Sequence, residues 1–230
     1  MAATEEKKEN RSFSDMLADF IRNKRRELLV AMLAILAILI GFVAGYAIRS
    51  SLREKANSAV EDFARRYEVL VIDINESEKA EDTQALLEEL NDFAEKHSGH
   101  AGARAYSLAA SIYAEQKNWA LAESAWRNSA KKAGKSYLAP ASLFNAAVAA
   151  EEQGNLDQAI ELYAESAAHV SGFPAAARAQ FEVGRLSESQ GDIQAALEAY
   201  KLIPEKWADE SSWINLAQSR IILLSNTGPQ

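Results

Sequence analysis

The run HSGH sets His97 and His100 three residues apart, a spacing at which two imidazoles can share a metal ion. A zinc site needs one or two more ligands. The chain offers only one further histidine, His169, and no cysteine. The pair therefore reads as solvated imidazoles near a loop, and no metal site is expected. Paired carboxylates are the next chemistry to consider: Glu88 with Glu89 and Glu151 with Glu152. Both pairs sit in charge-rich helical segments and read as wetted faces, not as a general acid beside a general base. The absence of cysteine removes thiolate catalysis and disulfides. It suits an oxidising compartment without placing the chain in one. No glycine-rich phosphate loop and no G-x-S-x-G nucleophile turn occurs. The chain is expected to be no enzyme and to carry no cofactor.

What remains is binding, and charge narrows the partners. Met1 to Glu27 holds seven basic and six acidic residues, while Arg49 to Gln230 holds 18 and 27. A main domain with a net charge of −9 repels phosphate backbones, and no basic stripe is present, so nucleic acid is not an expected partner.

The elements that must carry such a surface are helices. Ten glycines and four prolines among 230 residues, with abundant alanine, favour helix over sheet. The first element is LLVAMLAILAILIGFVAGYAI, Leu28 to Ile48, which has no charge in 21 residues. At ~1.5 Å per residue it spans ~30 Å, the hydrocarbon thickness of a bilayer. A signal peptide has a shorter apolar run and an A-x-A cleavage pattern, so an uncleaved anchor is the expectation. Arg22, Lys24, Arg25 and Arg26 precede the span; Arg49, Arg53 and Lys55 follow it. That bias puts the N-terminus in the cytoplasm and the main domain outside it. Ala37, Gly41 and Gly45, four apart, would let another helix approach closely. Before the span, Phe13, Met16, Leu17, Phe20 and Ile21 fall on one face of a short helix, with Ser12 and Asp15 in capping-box spacing. It is expected to lie on the inner membrane surface.

Residues 1–27 are thus read as a cytoplasmic tail, 28–48 as the transmembrane helix, 49–80 as a helical connector and 81–230 as the main domain. The connector keeps a helical beat through Leu52, Ala56, Val60, Phe63, Tyr67, Leu70 and Ile74. It is expected to pack on the main domain, and its three heptads at most leave a homodimer open. Ile74 to Gln84, charged and without an apolar period, reads as a loop or break.

The main domain repeats. Ala122, Ala159 and Ala196 are 37 residues apart, as are Trp126, Tyr163 and Tyr200. The turn before each alanine reads KNW, GNL and GDI. Gly154 and Gly191 are read as helix ends in a left-handed cap, and Asn118, Asp157 and Asp192 as the next helix starts. The alanine is the small residue where two helices of a hairpin cross. Gln84 to Gly99 reads as the second helix of an earlier unit, with Leu90 in the aromatic place. Ser211 to Asn226 reads as a terminating helix, which a stack requires to be polar outside.

This pattern resembles the tetratricopeptide repeat: W-x2-L-G-x2-Y, then A-x3-F, then P. The A-x3-aromatic half is present three times. The first half is degenerate, with Tyr106, Leu143 and Gln180 at the Trp place, Ala110, Ala147 and Gly184 at the Gly place, and Tyr113, Ala150 and Ser187 at the Tyr place. The resemblance implies an all-α chain: one transmembrane helix followed by a short α-solenoid. Its inward positions would be Arg104, Ser107, Ser111, Phe144, Asn145, Val148, Arg178, Phe181 and Arg185. They would suit an extended peptide with apolar and acidic groups, unless the phenylalanines pack together and the arginines pair with Glu151, Glu152 or Glu188.

The order of tail, span and acidic repeat domain further resembles bacterial inner-membrane tetratricopeptide proteins that serve as ancillary subunits of the Sec translocon. That likeness implies a single-pass protein with a periplasmic domain. It also implies translocon subunits, a membrane-anchored periplasmic folding factor and translocated polypeptides as partners. The alternative is a scaffold for cell division or outer-membrane assembly.

Overall fold

The structure, a computed structural model, describes residues 13–72, 76–169 and 173–226. Among them every regular element is an α-helix: α1 (Phe13–Asn23), α2 (Arg25–Val71), α3 (Glu76–Lys96), α4 (Gly99–Glu115), α5 (Trp119–Ala133), α6 (Leu138–Glu152), α7 (Leu156–Ala167), α8 (Ala176–Ser189), α9 (Ile193–Lys206) and α10 (Ser211–Asn226). The chain divides into two compact units, Met1–Glu54 and Lys55–Gln230.

In the first unit, α1 carries the expected stripe. Phe13, Met16, Leu17, Phe20 and Ile21 are all exposed. Ser12 lies outside the described residues. The helix is interrupted only at Lys24, whose ammonium pairs with Glu27 at 2.8 Å. α2 includes the apolar run; its most apolar 18 residues have a mean hydropathy of 2.9 and none is buried. It is long and apolar enough to cross a membrane and is compatible with a single-pass anchor. Ala37, Gly41 and Gly45 are exposed, and a Cβ on either glycine would meet nothing within 4 Å.

The second unit is a stack of antiparallel hairpins. α4 pairs with α5, α6 with α7 and α8 with α9; α5 packs on α6 and α7 on α8; α3 abuts α4, and α10 covers α9 and α8. The C-terminal part of α2 joins through the connector stripe, with Val60 buried and Ala56, Phe63, Tyr67 and Leu70 against the core. Phe63 meets Phe93 of α3 edge-on at 5.5 Å. Arg66 grips Glu89 with two hydrogen bonds of 2.6 and 2.9 Å. The expected loop over Ile74 to Gln84 is mostly helix, since α3 begins at Glu76. Glu78, Ala80, Glu81 and Asp82 near its start are exposed to water. Thr83, Leu86, Leu87 and Leu90 supply a buried stripe only from the third turn on.

The repeat is built from the same local devices each time. Helices α4, α6 and α8 end on Lys117, Gly154 and Gly191, with φ of 57°, 78° and 81°. In each, the next residue's N–H reaches back five positions, Asn118 to Tyr113 O, Asn155 to Ala150 O and Asp192 to Ser187 O, at 2.8 to 3.0 Å. This 6→1 closure satisfies orphan carbonyls and needs a left-handed residue, hence the glycines. The following helices start at Asn118, Asn155 and Asp192. Asp157, expected at a start, instead lies in the first turn of α7, where its charge faces the positive helix end. Only Asp192 caps with its side chain, accepting from Ala195 N–H at 2.9 Å.

Ala122, Ala159 and Ala196 are fully buried, and Trp126, Tyr163 and Tyr200 nearly so. Tyr200 lies over Gly184, where a Cβ would come within 2.5 Å of the ring. A second small-residue device also keeps the 37-residue spacing. Ser129 donates to Ala103 O and Ser166 to Pro140 O, each at 2.8 Å and fully buried.

Candidate interaction face

The expected inward residues come from α4, α6 and α8, the first helices of the three hairpins. In α4, Arg104 pairs with Glu61 of α2 at 2.6 Å. Ser111 turns its hydroxyl to Ser107 O at 3.1 Å, and both serines are half-buried. In α6, Asn145 is exposed and Val148 half-buried. Phe144 is not an exposed anchor. It is 9% accessible, edge-on to Tyr163 at 5.1 Å and tilted against Phe173 at 6.5 Å. In α8, Phe181 packs on Tyr200 at 5.2 Å and on Trp213 at 5.5 Å. The two phenylalanines each belong to their own hairpin's aromatic cluster, because the ring four residues after the crossing alanine lies beside them.

The arginines of α8 are engaged with carboxylates. Arg185 meets Glu151 of α6 at 2.7 Å and Glu182 at 2.5 Å. Arg178 sets its guanidinium 4.9 Å over the Phe144 ring, with Glu182 3.8 Å away. Phe144, Glu151, Arg178, Glu182 and Arg185 thus form one cluster joining α6 to α8, whereas Arg104, Ser107 and Ser111 stand apart from it. Burial opposes the Arg185 charge, but Glu182 and Glu151 outweigh it and hold its pKa above the ordinary value.

Two of the carboxylates weighed as arginine partners, Glu151 and Glu188, also bind the repeat tyrosines, which the sequence reading missed. Tyr163 OH donates to Glu151 at 3.4 Å and Tyr200 OH to Glu188 at 3.1 Å. Glu188 in turn pairs with Arg220 of α10. Glu151 and Glu188 keep the 37-residue spacing of the tyrosines, so the signal was present in the register. Burial first, then the bond to and charge of Glu188, push the Tyr200 phenol up to about 12. Beside this network lies an open cleft of about 430 Å³ lined by Phe181, Arg185, Glu188, Ser189, Tyr200 and Arg220. It offers an aromatic floor, the Glu188 carboxylate and two guanidiniums already engaged by carboxylates, which suits a peptide carrying both signs of charge better than a purely acidic one.

The histidines do not converge. His97 stacks on Phe93 at 3.8 Å, with Nδ1 2.8 Å from Phe93 O, while His100 is exposed. His169 lines a separate hollow with Arg127, Lys131 and Glu165. Among the described residues no three His, Asp or Glu side chains are placed to hold a metal ion.

The family model for the tetratricopeptide repeat matches residues 108–168 and 144–211, in step with the hairpins. A TPR repeat-containing protein of Treponema pallidum (strain Nichols) is 34% identical over 226 residues, covering 91% of this chain and 93% of its own length. The chain is a tetratricopeptide-repeat protein. Its likeness to that relative takes in more of the chain than the matched repeats alone. Tetratricopeptide repeats are protein-interaction modules, and stacking them creates extended concave surfaces for partners. The carboxylates and arginines of the network lie on α6, α8 and α10, and the tyrosines they engage lie on α7 and α9.

Proposed function

We propose that this protein is a non-enzymatic, membrane-anchored interaction module, an ancillary subunit of a protein translocon in a bacterial inner membrane. Its N-terminus is in the cytoplasm and its acidic repeat domain in the periplasm. The observation that carries the reading is the order of elements: a helix whose apolar span has no residue buried, followed by a tetratricopeptide-repeat stack. On this reading the anchor holds the domain near the exit of the translocon. The face of Ser107, Ser111, Asn145, Val148 and Phe181 receives segments of translocated polypeptide or a periplasmic folding factor. Exposed Asn145 supplies amide hydrogen bonds to an extended backbone, and the Arg185–Glu151 and Arg220–Glu188 pairs exchange partners with charged client side chains. The stripe of Ala37, Gly41 and Gly45 faces a helix of the membrane partner.

The test is to purify the intact protein from membranes and identify what accompanies it, alongside protease treatment of spheroplasts. Translocon subunits, with the repeat domain cleaved from outside, support the reading. Division or outer-membrane assembly factors, or a domain shielded from the protease, overturn it.

A further inference from the structure

α10 carries an outer surface unlike the polar terminator that a repeat stack requires. Its residues SSWINLAQSRIILLSN include one charge, Arg220, and that guanidinium turns inward to Glu188. Trp213, Ala217, Ile221 and Leu224 pack on the stack. On the opposite side Ser212, Leu216, Ser219, Leu223 and Asn226 succeed one another at steps of four and three, the spacing of a two-helix seam. Leu216, Ile222 and Leu223 are 48%, 62% and 53% accessible there. The Ser219 hydroxyl donates to Asn215 O at 2.9 Å within the helix, so it presents a small surface with little further polar demand.

We infer that this face docks against the same face of a second copy of the chain, antiparallel, about a twofold axis at Ser219. An isologous contact requires a surface complementary to itself. Leu216, Ser219 and Leu223 read large, small, large in either direction. Leu216 of one copy then lies beside Leu223 of the other, and the two Ser219 side chains meet where the helices cross. That repeats between molecules the device the alanines provide within each hairpin. Charge favours this place over others: the sequence from Arg49 onward is net −9, so copies repel across most of the domain, while this helix face is uncharged. A single helix pair falls short of the ~800 Å² per partner of a standard stable interface. The dimer therefore forms weakly in dilute solution and gains strongly where copies share a membrane plane.

The chain has no cysteine, so single-cysteine variants of the full-length protein report on the contact without interference. Ser219→Cys is oxidised in detergent micelles and in phosphatidylethanolamine–phosphatidylglycerol vesicles, beside Ser124→Cys on the exposed surface of α5. The expected result is a disulfide dimer of twice the chain mass, formed at least tenfold faster for Ser219→Cys. Adding Leu216→Glu and Leu223→Glu slows it at least tenfold, with an unchanged thermal melt. Leu216→Ser with Leu223→Ser gives the same loss if the glutamates disturb folding. Cross-linking of Ser219→Cys no faster than Ser124→Cys in both media, or a rate indifferent to both pairs of substitutions, overturns the inference. Neither outcome depends on the translocon reading.

Discussion

Lys117 occupies the place that Gly154 and Gly191 fill in the next two repeats, and it adopts the same left-handed backbone at φ 57°. An L-residue there costs roughly 1–2 kcal/mol relative to glycine. Replacing lysine by glycine returns part of that, because glycine loses about 0.4–1 kcal/mol more chain entropy on folding. Lys117→Gly should therefore stabilise by about 0.5–1 kcal/mol, and Gly154→Ala or Gly191→Ala should destabilise by a similar amount. No steric term confuses the sign, since a Cβ built on Gly154 or Gly191 meets nothing within 4 Å. At a urea slope of about 2 kcal/mol per M, the midpoint shifts by roughly 0.3–0.5 M upward in the first case and downward in the others. The assay is urea unfolding of the full chain in micelles followed by tryptophan fluorescence. All four tryptophans lie in the repeat unit, and Trp119 is two residues from the substituted lysine. A Lys117→Gly variant that is neutral or weaker, together with a neutral Gly154→Ala, would refute the shared 6→1 closure as the reason for glycine in these turns.

Other consequences follow from the packing. Gly184→Ala should cost about 1–2 kcal/mol net: the new methyl overpacks against the Tyr200 ring, fully buried and with no room to withdraw, and this outweighs the gain in helix propensity. Urea midpoints measure it, and Ala147→Gly at the equivalent place should also destabilise, there by losing helix propensity and a fully buried methyl. Ser166→Ala removes a 2.8 Å hydrogen bond to Pro140 O and should cost about 1 kcal/mol by the same assay. For alkaline pH, the folded Tyr200 phenol is raised from 10.0 to about 12, so the unfolded chain releases its proton first. Its contribution to stability is complete below pH 10 and is lost as pH rises toward 12. Urea midpoints across that range should fall less steeply for Tyr200→Phe than for the parent.

The hairpin stack was legible because its constraints are local and repeat. An alanine that must be small, an aromatic four residues on and a left-handed turn recur at 37 residues, and the structure places all three as the sequence implied. The helix starts were less sharp. In GNLDQ two residues suit a helix start, and Asn155 rather than Asp157 stands at the boundary, without a side-chain bond, because the 6→1 closure fixes it beside Gly154. The beginning of α3 was hidden because residues 78–82 are not buried, Thr83 being the first described buried residue of the helix, and so show no apolar period. The charged residues of the first helices and their candidate carboxylates were legible, but not which pairs would form. Arg185 finds Glu151 across 34 residues and Arg220 finds Glu188 across 32, separations at which only the packing of successive hairpins decides which charges meet. Phe144 shows the same limit: its register puts it on the first helix, but Tyr163, Phe173 and the Arg178 guanidinium enclose its ring.

The central claim, an anchored repeat face that receives translocated polypeptide, is tested most directly by photocross-linking from Asn145, an exposed position on α6, in the membranes of growing cells. A benzoylphenylalanine at that site should yield adducts with translocon subunits or with chains caught during export, and these should vanish when export is blocked. Adducts confined to division or outer-membrane assembly proteins, or adducts unchanged by the block, would contradict it.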